Sequence, residues 1–319
     1  MKVQKITGMF VVGVLLACST FVHAETRVTY KSAKTSTSYY QMAVQVAEAI
    51  KSGTDGEIIA TVEESQGSVQ NVKEVLVRSG NYVFTTPPAL IRLAQQSQGK
   101  FAADNPAKYL NVRSLFPIPS LTMHFVVRAD SGIKTFADLA GKDILIGKGS
   151  FGAREAAKYF TLFGLDGKVH LANAELGSAV QALKNRQIDG FATSSSYPAP
   201  NVLEAAAGVG INLLSLSSEQ IKLTKRTELL IPAGTYSGVD YPVSTTSLPV
   251  VAYATTDMAD ETAYQLTKAF WQQKEKMAKN NAWWGGVSTA MLGNIYGKLH
   301  PGALRYYQEI GVEVPAALR

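Results

Sequence analysis

Ile144-Leu145-Ile146-Gly147-Lys148-Gly149-Ser150-Phe151-Gly152-Ala153-Arg154 is the stretch on which the fold turns. Its aliphatic start reads as the end of a buried strand, its glycines as a tight turn, and the residues after Gly152 as a helix. Strand, turn and helix in direct succession form the building step of an α/β layer structure. The turn also carries chemistry. The first N–H groups of a helix have no partner within it and bear a partial positive charge, so they attract phosphate or carboxylate. Glycine lets the backbone approach such an anion closely. Ser150, with the backbone N–H groups of Phe151, Gly152 and Ala153, is therefore a candidate carboxylate site. The spacing Gly147-x-Gly149-x-x-Gly152 also fits the dinucleotide fingerprint, with Glu175 after the strand Val169–Ala172 as the acid that such a site needs. A nicotinamide enzyme sets that motif in its first βαβ unit, whereas here it lies past residue 140. The plain alternative is a tight turn that holds nothing.

The same rhythm extends in both directions. Toward the N-terminus, Arg27–Tyr30, Glu57–Val62 and Asn81–Phe84 read as strands, each followed by a helical pattern. Ser38–Ile50 carries Tyr39, Ala43, Val46 and Ile50 at helical spacing. Ser68–Arg78 is the second helix, and Pro87-Pro88 opens a third, where missing N–H groups cost nothing. Leu121–Val127 is apolar without alternation, as in a strand covered on both faces. Asp130-Ser131-Gly132 then marks a turn. Asp143–Ile146, Gly152–Leu162, Val169–Ala172, Leu176–Lys184 and Asp189–Thr193 continue the alternation. Ser247–Tyr253 is a second fully apolar strand, and Asp260–Lys279 a long amphipathic helix. The pattern predicts an α/β fold of two lobes joined by two crossings of the chain. Residues 25–131 and 247–319 form one lobe, and residues 132–246 the other. No solenoid repeat and no low-complexity linker interrupts it.

Three further segments stand where open α/β sheets place ligands, at the carboxyl ends of strands. Ser36-Thr37-Ser38-Tyr39-Tyr40 lies between the first strand and the first helix. Gln66-Gly67-Ser68-Val69-Gln70-Asn71 opens the second helix, and Thr85-Thr86 ends the third strand. Helix capping by Ser38 is the common explanation for the first of these. Their convergence on one edge makes Ser36, Thr37, Ser38, Tyr39, Ser68, Asn71, Thr85 and Thr86 candidate ligand residues.

Composition narrows the class. Of 319 residues, 46% are hydrophobic and 18% charged, which suits a globular chain and neither a disordered one nor a coiled coil. The net charge of +6 includes Lys2 and Lys5, so about +4 is left after the first 24 residues, a mild attraction for anions. No basic block of nucleic-acid type occurs. Lys2 and Lys5, the apolar run Ile6–Ala17 and Val22-His23-Ala24 read as a signal peptide cleaved before Glu25. The rival is a lipid attached at Cys18 in Leu15-Leu16-Ala17-Cys18. Cys18 is the sole cysteine, so the mature chain is expected to hold together without disulfides. No later stretch is long and apolar enough to span a membrane.

Other chemistries find little footing. His23, His124, His170 and His300 lack metal-ligand spacing. There is no nucleophile elbow and no P-loop. Ser194-Ser195-Ser196 has no neighbouring base, so a polar loop is the expectation. Trp283-Trp284 reads as packing.

Taken in order, these segments resemble the TAXI family of TRAP-transporter solute receptors over nearly the whole mature chain. The likeness runs through Ser38-Tyr39-Tyr40, Gly67–Asn71, Val126–Lys134, Asp138–Lys142, Ile188-Asp189-Gly190 and Tyr197-Pro198-Ala199-Pro200. Its most specific piece is Ile231-Pro232-Ala233-Gly234-Thr235-Tyr236. Leu299–Ala303 and Tyr306-Tyr307 close it. The resemblance implies a two-lobed periplasmic binding protein of type II, a Venus flytrap, with two hinge crossings. It implies no enzyme activity and no cofactor. The implied ligand is a small anionic solute, glutamate or a related dicarboxylate, and the implied partners are the membrane subunits of a TRAP transporter. A periplasmic monomer is expected. Departures fall at the site. Thr37 and Ser38 replace a glycine pair, Phe151 and Ala153 replace hydroxyl residues of the turn, and Ser196 replaces a glycine before Tyr197, which would cover the ligand. A ring at Phe151 favours a ligand with an apolar portion, or fills space. A periplasmic sensor subunit would share the same cleft.

Overall fold

The structure is a computed structural model that describes residues 25–319, apart from residues 34, 36, 79, 149 and 150 and the side chains of Phe151 and Ala282. The expected signal segment 1–24 with Cys18, and the expected site residues Ser36 and Ser150, lie outside the described residues.

The alternation read from the sequence is present. β1 (Thr26–Lys31), α1 (Ser38–Gly53), β2 (Ile58–Glu63), α2 (Ser68–Lys73), β3 (Tyr82–Thr86) and α3 (Pro88–Gln95) come first. β4 (Val112–Arg128) follows, then β5 (Asp143–Leu145), α4 (Phe151–Leu162), β6 (His170–Leu171), α5 (Ala179–Lys184) and β7 (Gly190–Ser195). The chain goes on through α6 (Pro200–Gly208), β8 (Ile211–Leu213), α7 (Ser218–Thr224), β9 (Thr227–Ile231), β10 (Val243–Thr255), α8 (Asp260–Ala278) and α9 (Pro301–Glu309).

One sheet runs through the molecule in the order β2-β1-β3-β10-β4-β7-β5-β6, with β8 beside β4 and β9 beside β10. β1 pairs in parallel with β2 and β3, and β5 in parallel with β6 and β7. The long strands β4 and β10 are antiparallel to each other and to the strands they join, so they are the two crossings.

Three sets of apolar side chains divide along these crossings. Ile118 and Val250 belong to the core formed by β1 to β3, α1, α8 and α9, with Tyr30, Val46, Phe84, Phe270 and Tyr307. Past the crossing, Phe125 and Val127 face a second cluster with Tyr159, while Val126 faces a third with Phe191 and Tyr236. Successive residues of a strand point to opposite faces, and here both faces are covered. That is why Leu121–Val127 shows no polar alternation.

The join itself is irregular. Leu248 pairs with Leu121 but Val250 with Ile118, so β4 carries one extra residue around Pro119 and Ser120, opposite Pro249. Proline offers no N–H to a ladder, and a bulge is where a sheet tolerates it.

Several elements differ from the sequence reading. β4 begins at Val112 rather than Leu121, because Pro117 and Pro119 disguise its first half. α2 stops at Lys73 and tightens into a 3₁₀ turn over Glu74–Leu76. The 3₁₀ turn Leu176–Ser178 leads into α5, which begins at Ala179.

Candidate functional site

The start of α1 and the end of β7 meet. Thr37 caps α1, its side chain accepting from the Tyr40 N–H. Capping by the residue before Ser38 leaves the Ser38 hydroxyl for another partner. Ser38 Oγ lies 3.0 Å from Ser195 Oγ, the last residue of β7. Ser195 is paired in the ladder with Thr122 of β4, so this contact joins the two sides of the crossing. Tyr39, the next residue of α1, turns to the crossing itself. Its hydroxyl donates to the Pro119 carbonyl at 2.7 Å, inside the bulge.

The neighbouring strand ends are held by hydroxyl and amide side chains. Asn71 is fully buried, and its Nδ2 donates to the carbonyls of Ser32 and Thr85 at 2.7 and 2.8 Å. It thereby ties the ends of β1 and β3 together. The Thr85 hydroxyl donates to the Tyr30 hydroxyl at 3.2 Å. Among the described residues, buried Asn71 Oδ1 and Thr86 Oγ1 have no hydrogen-bond partner. Ser68 is half-buried at the first position of α2. Both atoms, beside the end of β3, retain hydrogen-bonding capacity.

Across from them, the glycines of the opening stretch have structural partners. Gly147 has φ +77°, and a Cβ there would stand 3.0 Å from the Leu176 side chain. A Cβ on Gly152 would stand 3.0 Å from both Cβ and N of Ser194. Gly152 thus lets the first turn of α4 press onto the end of β7. Phe151 opens α4, and Ala153 is buried in its core-facing side. Ser196 is buried and Tyr197 half-buried where the chain leaves β7, at the cis Tyr197-Pro198 bond. The structure therefore brings Ser38 to the end of β7 and Tyr39 to the bulge of β4. It sets Asn71, Thr85 and Thr86 at the ends of β1 and β3.

Charges beside these ends are matched. Lys31, buried at the end of β1, bonds Glu63 and Glu74 at 3.2 and 3.3 Å. Arg78 bonds the same two carboxylates at 2.8 and 2.9 Å, and it holds the Glu63 carboxyl below its ordinary range. Arg226, just beyond α7, grips Glu155 of α4 through bonds of 2.9 and 2.7 Å.

Sequence reasoning missed Ser195, read only as part of a polar loop, and the roles of Pro119, His124 and Tyr236. Among the described residues no cluster of three or more His, Cys, Asp or Glu could hold a metal. Nor is any helix among them long and apolar enough to cross a membrane. Two shallow depressions, of about 290 Å³ beside Ile133 and Tyr241 and about 190 Å³ beside Lys158 and Leu171, do not border Ser38, Thr85 or Ser195.

A family model described as the NMT1-like family matches residues 31–311. Among solved structures, the chain is similar to MatC (Rpa3494) from Rhodopseudomonas palustris with bound malate. The identity is 12%, over 81% of this chain and 89% of that one, with a TM-score of 0.52. It is also similar to the periplasmic binding protein BugD, at 11% identity over 91% of this chain and 99% of that one, TM-score 0.52. These likenesses show the fold, a two-lobed α/β arrangement.

Proposed function

The chain belongs to the NMT1-like family, and we propose that it is a periplasmic solute-binding receptor whose two lobes close on a small carboxylate. The ligand is a glutamate-like amino acid or a dicarboxylate. Delivery is to the membrane subunits of a TRAP transporter, with the chain acting as a TAXI-type receptor and as a monomer. It is exported, with cleavage after Ala24, and catalyses no reaction.

The observation that carries this reading is the 3.0 Å contact between Ser38 and Ser195. A helix start and a strand end, set beside separate cores, touch there through hydroxyls, as two lobes do where they have closed on one another. Their other members suit a carboxylate. Ser150 and the N–H groups of Phe151, Gly152 and Ala153 supply donors from the middle lobe. Ser36, Thr37, Ser38, Tyr39, Ser68, Asn71, Thr85 and Thr86 line the other side, and Ser196 and Tyr197 cover the ligand. Within that set, Asn71 and Thr85 act chiefly by shaping the edge, since their donors are bound to protein atoms. The malate held by MatC, a protein of like fold, agrees with this ligand class.

We place the hinge at the bulge of Pro119–Ser120 opposite Pro249, upstream of the division after Ser131 expected from the sequence. Met123, Phe125 and Val127 support this, because they pack with the middle lobe. The return crossing lies near Ser247. A ligand stabilises the closed state only by binding it better than the open one. A wrong ligand would leave buried polar atoms unpaired, which is the source of selectivity.

Calorimetry tests this. Protein freed of carried-over ligand by mild denaturation and refolding is titrated with malate, succinate, glutamate and 2-oxoglutarate. Heat with at least one is expected, and silence with every small carboxylate overturns the ligand class.

A further inference from the structure

Behind the edge that carries Ser195 runs a buried chain of hydrogen bonds. The Ala199 N–H donates to the Tyr236 hydroxyl at 2.8 Å. That hydroxyl lies 2.8 Å from His124 Nε2, and His124 Nδ1 lies 3.0 Å from the Thr122 carbonyl. One assignment of protons satisfies every member: Nδ1–H donates to Thr122, and Tyr236 donates to Nε2. It requires a neutral imidazole. Burial supplies that condition, holding His124 at about 4.

The two ends of this chain are mechanically significant. Thr122 sits in the crossing, paired with Ser195 on one side and Ser247 on the other. Ala199 stands two residues beyond Tyr197, and the Tyr197 carbonyl lies 3.8 Å from where a Cβ on Gly286 of the first lobe would be. The segment Ser195–Ala199 thus touches the first lobe at Ser38 and passes close to it at Gly286. Tyr236 comes from the turn after β9, which braces itself: Gly234 N–H donates to the Val239 carbonyl and the Thr235 hydroxyl to the Pro232 carbonyl. The turn Ile231–Tyr236, the most specific part of the sequence pattern, thereby aims one hydroxyl at Ala199 from behind.

We infer that Tyr236 is a positioning residue, fixing Ser195–Ala199 where the first lobe can close upon it. The inference rests on the two-lobed receptor reading above, but not on the identity of the ligand. Without the Tyr236 hydroxyl, the end of this segment is released in the open state and must be ordered again at closure. Ordering about one residue shifts the closed-to-open ratio by roughly tenfold.

The test uses two spin labels, on Gln66→Cys and Glu175→Cys, exposed positions of opposite lobes, in the chain from Glu25 onward, which has no other cysteine. Tyr236→Phe is expected to move the ligand-free distance distribution toward the open state. For the tightest carboxylate of the calorimetric panel, it should raise the dissociation rate by about tenfold and leave association little changed. His124→Gln, whose amide can take the place of Nε2 and accept from Tyr236, should stay close to the parent in both. A Tyr236→Phe protein that merely melts earlier, with parental distances, overturns the inference, as does equal behaviour of the two variants. If no carboxylate gives heat but the distances shift as described, the ligand class fails and Tyr236 keeps its role.

Discussion

Ser38 Oγ and Ser195 Oγ stand 3.0 Å apart, although 157 residues separate them and each is anchored in a different lobe. The bond between them exists only while both hydroxyls are present. A neutral hydroxyl pair contributes about 1 kcal/mol net. Ser38→Ala and Ser195→Ala should each weaken ligand binding by roughly fivefold. The double variant should be little worse than either single one, because residues in contact are not additive. Dissociation constants for the three variants check this. Effects that simply add would mean that the two serines act separately.

Tyr39→Phe removes the donor to the Pro119 carbonyl. Pro119 lies in the bulge, where β4 has one residue more than β10 opposes, and Tyr39 supplies its carbonyl with a donor from outside the ladder. Losing the partner of a polar group in this half-buried place costs about 1–2 kcal/mol. A lowered urea midpoint with an unchanged m-value is expected. A change in m-value would instead report an altered native or denatured compactness.

Much of this frame was legible in the sequence. α1 shows Met42, Ala43, Val46, Ala49 and Ile50 on its buried face, a spacing visible by eye. What escaped was short or disguised. α6 begins with Pro200, the same signal that revealed α3 at Pro88. α7 carries a capping box, Ser217 with Gln220, that could have been read. β8 has three residues, too few for any period to show. At the site, a hydroxyl at a helix start pointed to Ser38, whereas Ser195 needed knowledge of a pairing across the fold. Asn71 shows the opposite limit. Its place after a strand suggested a ligand, but its amide nitrogen serves two carbonyls, and no local pattern distinguishes those uses.

Gly302 allows α9 to lie against the start of α8. A Cβ there would overlap the Asp260 carbonyl oxygen and stand 2.7 Å from the Tyr264 nitrogen. Both obstacles are backbone, so neither can swing aside. Gly302→Ala gains helix propensity of about 1 kcal/mol, but overpacking against backbone costs more, on the order of 3 kcal/mol. A marked fall in melting temperature is expected in calorimetric scans. A neutral or stabilised variant would show that the two helices part easily.

Stability should fall on mild acidification, and His124 should account for a measurable share. Its ring is buried between Thr122 and Tyr236, and burial lowers its pKa from the ordinary 6.5 to about 4. Between those two values the unfolded chain takes up a proton that the folded chain refuses. The unfolded state therefore binds more protons there, and stability declines as pH falls through the interval. Above about 6.5 the contribution is fully present, and near 4 it is spent, at a total of about 3 kcal/mol. His300, also lowered mainly by burial, acts in the same direction. From about pH 4.5 downward, Glu261 and then Asp130, held low chiefly by Arg305 and Arg128, lose their stabilising charge as they protonate. Urea midpoints at pH 7.5, 6.0 and 5.0 should drop steadily for the parent. His124→Gln removes the titrating ring but keeps an acceptor for Tyr236, so its midpoints should drop distinctly less. Identical pH profiles for the two proteins would exclude His124 as a source of the slope.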